Sequence, residues 1–113
     1  MIDLAKITGF DWDDGNIRKN EKHGVSMAEA EQIFFNAPLL VLTDSKHSKL
    51  EPRFHALGKT NEARLLHITF TLRHRGEKIR VISARDMHRK ERAVYEQTAA
   101  SGQSAHAGSE QAR

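Results

Sequence analysis

In 113 residues there is not one cysteine, which excludes disulfide staples, thiolate zinc sites and cysteine nucleophiles. No apolar run approaches the length of about 18 residues needed to span a bilayer, so no transmembrane helix is expected. The first residues show no charged start followed by an apolar stretch and a small-residue cleavage site, so no signal peptide is expected. Together these features lead us to expect a cytoplasmic protein with no membrane role. Proline occurs twice, and tryptophan and tyrosine once each. What remains is ordinary for a small soluble domain: 38% hydrophobic and 29% charged residues, enough for one modest core.

The net charge of +3 conceals an asymmetry. Between Arg73 and Arg92 stand eight basic residues (Arg73, Arg75, Lys78, Arg80, Arg85, Arg89, Lys90, Arg92) against three acidic ones (Glu77, Asp86, Glu91). That block nets +5, and everything outside it therefore nets −2. A polyanionic partner is consistent with such a block, although a run in sequence need not be a patch in space.

The chain is read as one domain over residues 1–97, with a flexible tail over 98–113. From Thr98 onward no apolar side chain exceeds alanine, so the tail cannot bury enough surface to offset its ordering entropy. Phe10 to Asp13 reads as a short extended lead-in. Asp13 is a good N-cap, Asp14 suits the helix dipole, and Trp12 and Ile17 hold the positions of a hydrophobic staple. A first helix is predicted from about Asp14 to Lys22, stopping at Gly24. Ser26 and Glu29 have capping-box spacing and open a second helix, with Ala30, Ile33 and Phe34 at helical spacing and a stop at Asn36-Ala37-Pro38.

Beyond Pro38 the period changes to two. Strands are predicted at Leu39–Thr43, at Arg53–Leu57 behind Pro52, at Leu66–Arg73 and at Ile79–Ala84, with a turn near Arg75-Gly76. Met87 to Thr98 is a last helix with Asp86 as its cap. The fold class is α+β: two N-terminal helices, a four-stranded, mainly antiparallel sheet and a C-terminal helix.

The seven histidines show no H-x-x-x-H spacing and no nearby carboxylate trio, so neither a metal site nor a cofactor is expected. His67 falls on the polar side of its strand and is read as solvated. Lys22-His23, His47, Arg53 and the pair Arg80/Arg85 form a more suggestive set. Five residues apart, Arg80 and Arg85 point to opposite faces of a regular strand, so one can line a site while the other pairs with Glu91. RNA cleavage needs no cofactor: a base deprotonates the 2′-hydroxyl, cations stabilise the phosphorane, and an acid protonates the leaving oxygen. Arginine matches phosphate through its two-pronged donor set, and histidine titrates near neutrality. Residue types alone leave nucleic-acid binding as the broader reading.

Four short blocks carry a resemblance. Phe10-Asp11-Trp12-Asp13-Asp14-Gly15-Asn16 leads to Lys22-His23-Gly24-Val25-Ser26. Then come Asp44 with His47-Ser48, Glu51-Pro52-Arg53-Phe54 with Gly58, and Arg80-Val81-Ile82-Ser83-Ala84-Arg85 followed by Met87-His88-Arg89-Lys90-Glu91. In this order they resemble the BrnT family, toxins of bacterial type II toxin–antitoxin systems, over about residues 10–95. The resemblance implies a RelE-like fold and a ribonuclease that lowers translation. It also implies a BrnA-like antitoxin with a ribbon-helix-helix domain, through which alone the complex would touch DNA. Asn16 stands where the family often carries lysine.

On this basis Arg53 and Arg80 are expected to hold the scissile phosphate, with Lys22 or His23 assisting proton transfer. His47, Arg73, Arg85, His88 and Arg89 are expected to contact RNA. Each has a plainer rival: Lys22-His23 sits where cations complement a helix C-terminus without any catalysis. The competing reading for the whole chain is a non-catalytic RNA- or protein-binding module of the same fold. DNA binding by the chain itself lacks a helix-turn-helix signature and ranks last.

Overall fold

A computed structural model describes residues 3–46 and 51–100. Asp13 caps the first helix as its sequence demands, its carboxylate accepting the backbone N–H of Asn16 at 2.8 Å. Helix α1 runs over Asp14–Lys22 and ends where Gly24 takes a positive φ of 75°. The Ser26–Glu29 capping box closes in both directions and opens α2, Met27–Gln32. Here the expected single helix divides: the chain tightens into a 3-10 turn over Ile33–Phe35 before Pro38.

Four strands follow as anticipated: β2 Leu40–Asp44, β3 Arg53–Lys59, β4 Leu65–Arg73 and β5 Lys78–Asp86. The expected count of four is one short. Phe10, the first residue of the expected lead-in, joins Gly9 in a two-residue strand β1 that pairs in parallel with Lys78 and Ile79 of β5. The sheet is therefore mixed, with spatial order β1-β5-β4-β3-β2. Two residues offer no alternation to read, so this strand exists only through its nonlocal partner. The final helix, α3, spans Arg89–Ala100 rather than Met87–Thr98. Asp86 is the last residue of β5 and bonds Arg64, while the first turn of α3 is tied by Glu91 accepting the N–H of His88 at 2.9 Å. Thr98 to Ala100, expected in the tail, continue this helix, and residues 101–113 lie outside the described residues. No described helix is long and apolar enough to cross a membrane.

The two faces of the sheet are buried differently. On one, Val41, Phe54, Ala56, Leu66, Ile68, Phe70, Ile79, Val81 and Ala84 meet Val25, Ala30 and Ile33, forming the main core. Phe70 stacks on Phe54 at 5.4 Å and takes the edge of Phe34 at 5.2 Å. A Cβ at Gly58 would stand 2.9 Å from the Ile33 Cβ, so the 3-10 turn rests on that glycine. Gly58→Val is expected to destabilise the fold by about 1–3 kcal/mol, read as a lowered urea midpoint at unchanged slope. Among the described residues, the second face is covered at one end, where α3 lays Tyr95 over Leu40, Leu57 and Met87.

Candidate active site

Strand register arranges the second face in rows. Leu57 pairs with His67, which pairs with Arg85; Leu40 completes this row, and α3 packs over it. The next row holds Leu42, His55, Thr69 and Ser83. The third holds Asp44 beside Arg53 and Thr71 beside Arg80. Arg53 precedes Phe54, whose partner is Phe70, so continuing the register places it next to Thr71. Arg53 and Arg80 thus flank one buried threonine, their Cα atoms about 10 Å apart across two strand spacings. Thr71, fully buried, donates its hydroxyl to the Pro52 carbonyl and fixes the start of β3 there.

A β-bulge corrects one expectation. The β4–β5 register slips between Thr69 and Phe70: Thr69 faces Ser83 while Phe70 faces Val81, leaving Ile82 as the extra residue. Val81 and Ala84 both enter the main core although they are three apart. Arg80 and Arg85, expected on opposite faces, therefore share the second face. They do different work there. Arg85 is clamped to Glu91 of α3 by two bonds of 2.9 Å, and its guanidinium holds the Glu91 carboxyl down to about 2. Arg80, at the far end of the strand, reaches Asp13 at 2.6 Å and Asp11 at 3.3 Å. The Arg80 bond, with the Asn16 N–H, keeps the Asp13 carboxyl below its ordinary range.

Three of the eight cations of the expected basic block, Arg73, Arg80 and Arg85, thus pair with carboxylates within the protein. Arg73 forms a fork to Glu51 at 3.1 and 3.2 Å, and His74 lies 3.6 Å from Asp11. His88 and Arg89 are exposed at the start of α3, at the covered end of the face and away from the Arg53–Arg80 row. His47 lies outside the described residues.

Lys22 and His23 do not join Arg80. Arg80 bonds the N-terminal cap of α1, whereas Lys22-His23 ends that helix, about 13 Å further along its axis. The chain there is pinned to the opposite end of β5: Arg64 donates to the Gly24 carbonyl at 2.8 Å and to Asp86 at 2.8 and 3.1 Å. Asn16 is likewise structural. It is buried and donates its side-chain amide to the Val81 carbonyl, at the edge of β5 beyond the end of β1.

Two histidines that no motif marks occupy the middle of the face. His67, expected to be solvated, is only 9% exposed because Leu57 and α3 close over its row, and burial, followed by the charge of Arg85, pushes it down to about 4. Its Nδ1 has no hydrogen-bond partner among the described residues. The His55 ring lies tilted beside it, with ring centroids 5.0 Å apart. His55 Nε2 lies 2.9 Å from Asp44 Oδ2, and its Nδ1 lies 3.1 Å from Thr69 Oγ1. A carboxylate only accepts, so Nε2 carries a hydrogen, and in the neutral imidazole Nδ1 then accepts from the threonine hydroxyl. Asp44 is itself steadied by the Lys46 N–H at 3.1 Å. The signal for His55 was its place two residues after Arg53 on the same side of a strand, but only the register brings Asp44 and Thr69 to it.

The face therefore offers a guanidinium at each side of a buried threonine and a carboxylate-held imidazole one row away. No curated protein matches the chain. Residues 12–91 match the family model described as a ribonuclease toxin, BrnT, of type II toxin–antitoxin systems, a stretch that takes in α1, the whole Arg53–Arg80 row and the His55 row, and the chain belongs to this family.

Proposed function

We propose that the chain is an endoribonuclease that cuts RNA by metal-independent acid–base chemistry and so lowers translation. The observation that carries this reading is the row formed by Arg53, Thr71 and Arg80. Two arginines whose Cα atoms stand about 10 Å apart can bring their guanidiniums from either side to the non-bridging oxygens of one RNA phosphate, and they stabilise the charge that grows there as the phosphorane forms. Arg80 spends two of its N–H groups on Asp11 and Asp13, which orient the plane, and a guanidinium has five. Arg53 and Arg80 take the phosphate-holding role; Arg73, one step further along β4, extends the cationic track.

Membership of a type II system implies a protein antitoxin. We read that partner as a BrnA-like protein with a ribbon-helix-helix domain, and DNA contact as belonging to the complex. Two surfaces suit it: β2 forms an outer edge of the sheet, and Phe35 is 78% exposed beside Phe10.

The test is to express the chain alone in bacteria. The parent arrests growth and its cells accumulate cut RNA; Arg53→Ala protein, made at the same soluble level, does neither. Soluble parent protein with normal growth and intact RNA would favour the binding-module reading instead.

A further inference from the structure

The ribonuclease reading leaves the proton-transfer group unnamed, since Lys22 and His23 end α1 far from the Arg53–Arg80 row. We propose that His55 is the general base of this site and takes the proton of the attacking 2′-hydroxyl through the hydroxyl of Thr69. This rests on the ribonuclease reading and deepens it.

The geometry carries the assignment. His55 and Thr69 stand one row from Arg53 and Thr71, about 7 Å along the strands, a distance that side chains and a ribose bridge together. Asp44 holds the Nε2 hydrogen at 2.9 Å, which leaves the Nδ1 lone pair aimed at Thr69 Oγ1, 3.1 Å away. This is the order carboxylate, imidazole, hydroxyl that activates hydroxyl groups in unrelated hydrolases. While Thr69 donates to Nδ1, its remaining lone pair is an acceptor for a second hydroxyl.

The other imidazole of the pair is less well placed: His67 stands two rows from Arg53 and Thr71, beneath α3, and burial pushes it down to about 4. Arg85 is occupied by Glu91. Among the described residues, the charged and titratable groups around His55 are Asp44 from β2, Arg53 on its own strand and His67 from β4. Beyond His67 stand Arg85 of β5 with Glu91 and His88 at α3.

In the step, the 2′-oxygen bonds to phosphorus as its proton passes to Thr69 Oγ1, while the proton already on Thr69 passes to His55 Nδ1. The bond from phosphorus to the 5′-oxygen breaks, its electron pair stays on that oxygen, and a water molecule supplies the oxygen's proton. The hydroxide left behind takes the proton from the imidazolium, restoring His55. The products are a 2′,3′-cyclic phosphate and a 5′-hydroxyl.

The experiment uses the purified full chain, a mixed-sequence oligoribonucleotide and its 2′-deoxy counterpart, which binds but has no nucleophile. His55→Gln is expected to lower kcat about 100-fold or more at unchanged KM, to flatten the rising limb of the pH–rate profile, and to bind the deoxy strand as the parent does. Thr69→Val is expected to show the same loss, and Thr69→Ser, which restores the hydroxyl, to recover most of it. Parental cleavage by His55→Gln, with Arg53→Ala inactive, overturns the role of His55 and leaves the ribonuclease reading standing. Parental cleavage by Thr69→Val overturns the relay. Loss of deoxy-strand binding in His55→Gln shows a structural role and overturns the proposal. A parent that leaves the RNA intact overturns both readings.

Discussion

Arg80→Ala protein is expected to cleave RNA about 100–1000-fold more slowly than the parent, the loss typical of removing one preorganised donor from a developing oxyanion. The same change leaves Asp11 and Asp13 without their cation. Asp13 is also the cap of α1, and its bond to Asn16 survives, so the helix should remain. Arg80→Lys is the sharper variant. It keeps the charge but cannot span two carboxylates and a phosphate, because an ammonium is a point donor without the planar fork. It should therefore recover little of the lost rate. Arg85→Ala makes the contrast: Arg85 shares the face but is bound to Glu91 under α3, so its loss should register in stability before it registers in cleavage.

The second large effect is one of stability. His67 is held near 4 in the fold and returns to about 6.5 on unfolding. Between those values the unfolded chain binds a proton that the native chain refuses, so stability must fall as pH falls through 6.5 and reach its full loss near 4. A shift of that size corresponds to ~3 kcal/mol. Urea unfolding at pH 7 and pH 4.5 should show most of this loss. In His67→Leu the dependence over that window should largely vanish, and an unpartnered buried nitrogen goes with it. The Glu91 carboxyl acts in a different window: held near 2 by Arg85, it contributes stability above about 4.5 that is lost as pH falls towards 2. An undiminished slope from pH 7 to 4.5 in His67→Leu would show that another group carries it.

The local elements were legible because their signals are local. Asp13, Gly24 and the Ser26–Glu29 pair set the ends of α1 and the start of α2 within a residue, and alternation in Leu66 to Arg73 marked β4. What escaped depends on partners distant in sequence. β1 is a strand only because β5 lies beside it. The bulge at Ile82 is set by the register with β4, and it reverses the face of everything beyond it, Arg85 included. Asn16 and Asn20, four residues apart and buried, form the inward side of α1, so apolar spacing could not reveal which side that was. His67 is polar by type and buried by its neighbours.

The site followed the same division. Arg53 and Arg80 stood out by residue type and motif, and the sheet sets them in one row. Within the +5 block, by contrast, Arg73, Arg80 and Arg85 meet counter-charges at Glu51, at Asp11 and Asp13, and at Glu91, and only Glu91 stands close in sequence to its partner. A sum over the block therefore counts three cations that carboxylates already hold, and it says nothing of which arginines share a row. His55 was silent in the sequence because Asp44 and Thr69 reach it across two strand boundaries.

RNA cut at the Arg53–Arg80 face by attack of the RNA's own 2′-hydroxyl, without a metal, must leave distinctive ends. End-group mapping of RNA incubated with the purified chain in EDTA tests it most directly. The account predicts fragments ending in 2′,3′-cyclic phosphate and beginning with 5′-hydroxyl, formed by the parent and lost in both Arg53→Ala and Arg80→Ala. Intact RNA, or fragments with 3′-hydroxyl and 5′-phosphate ends, would contradict it.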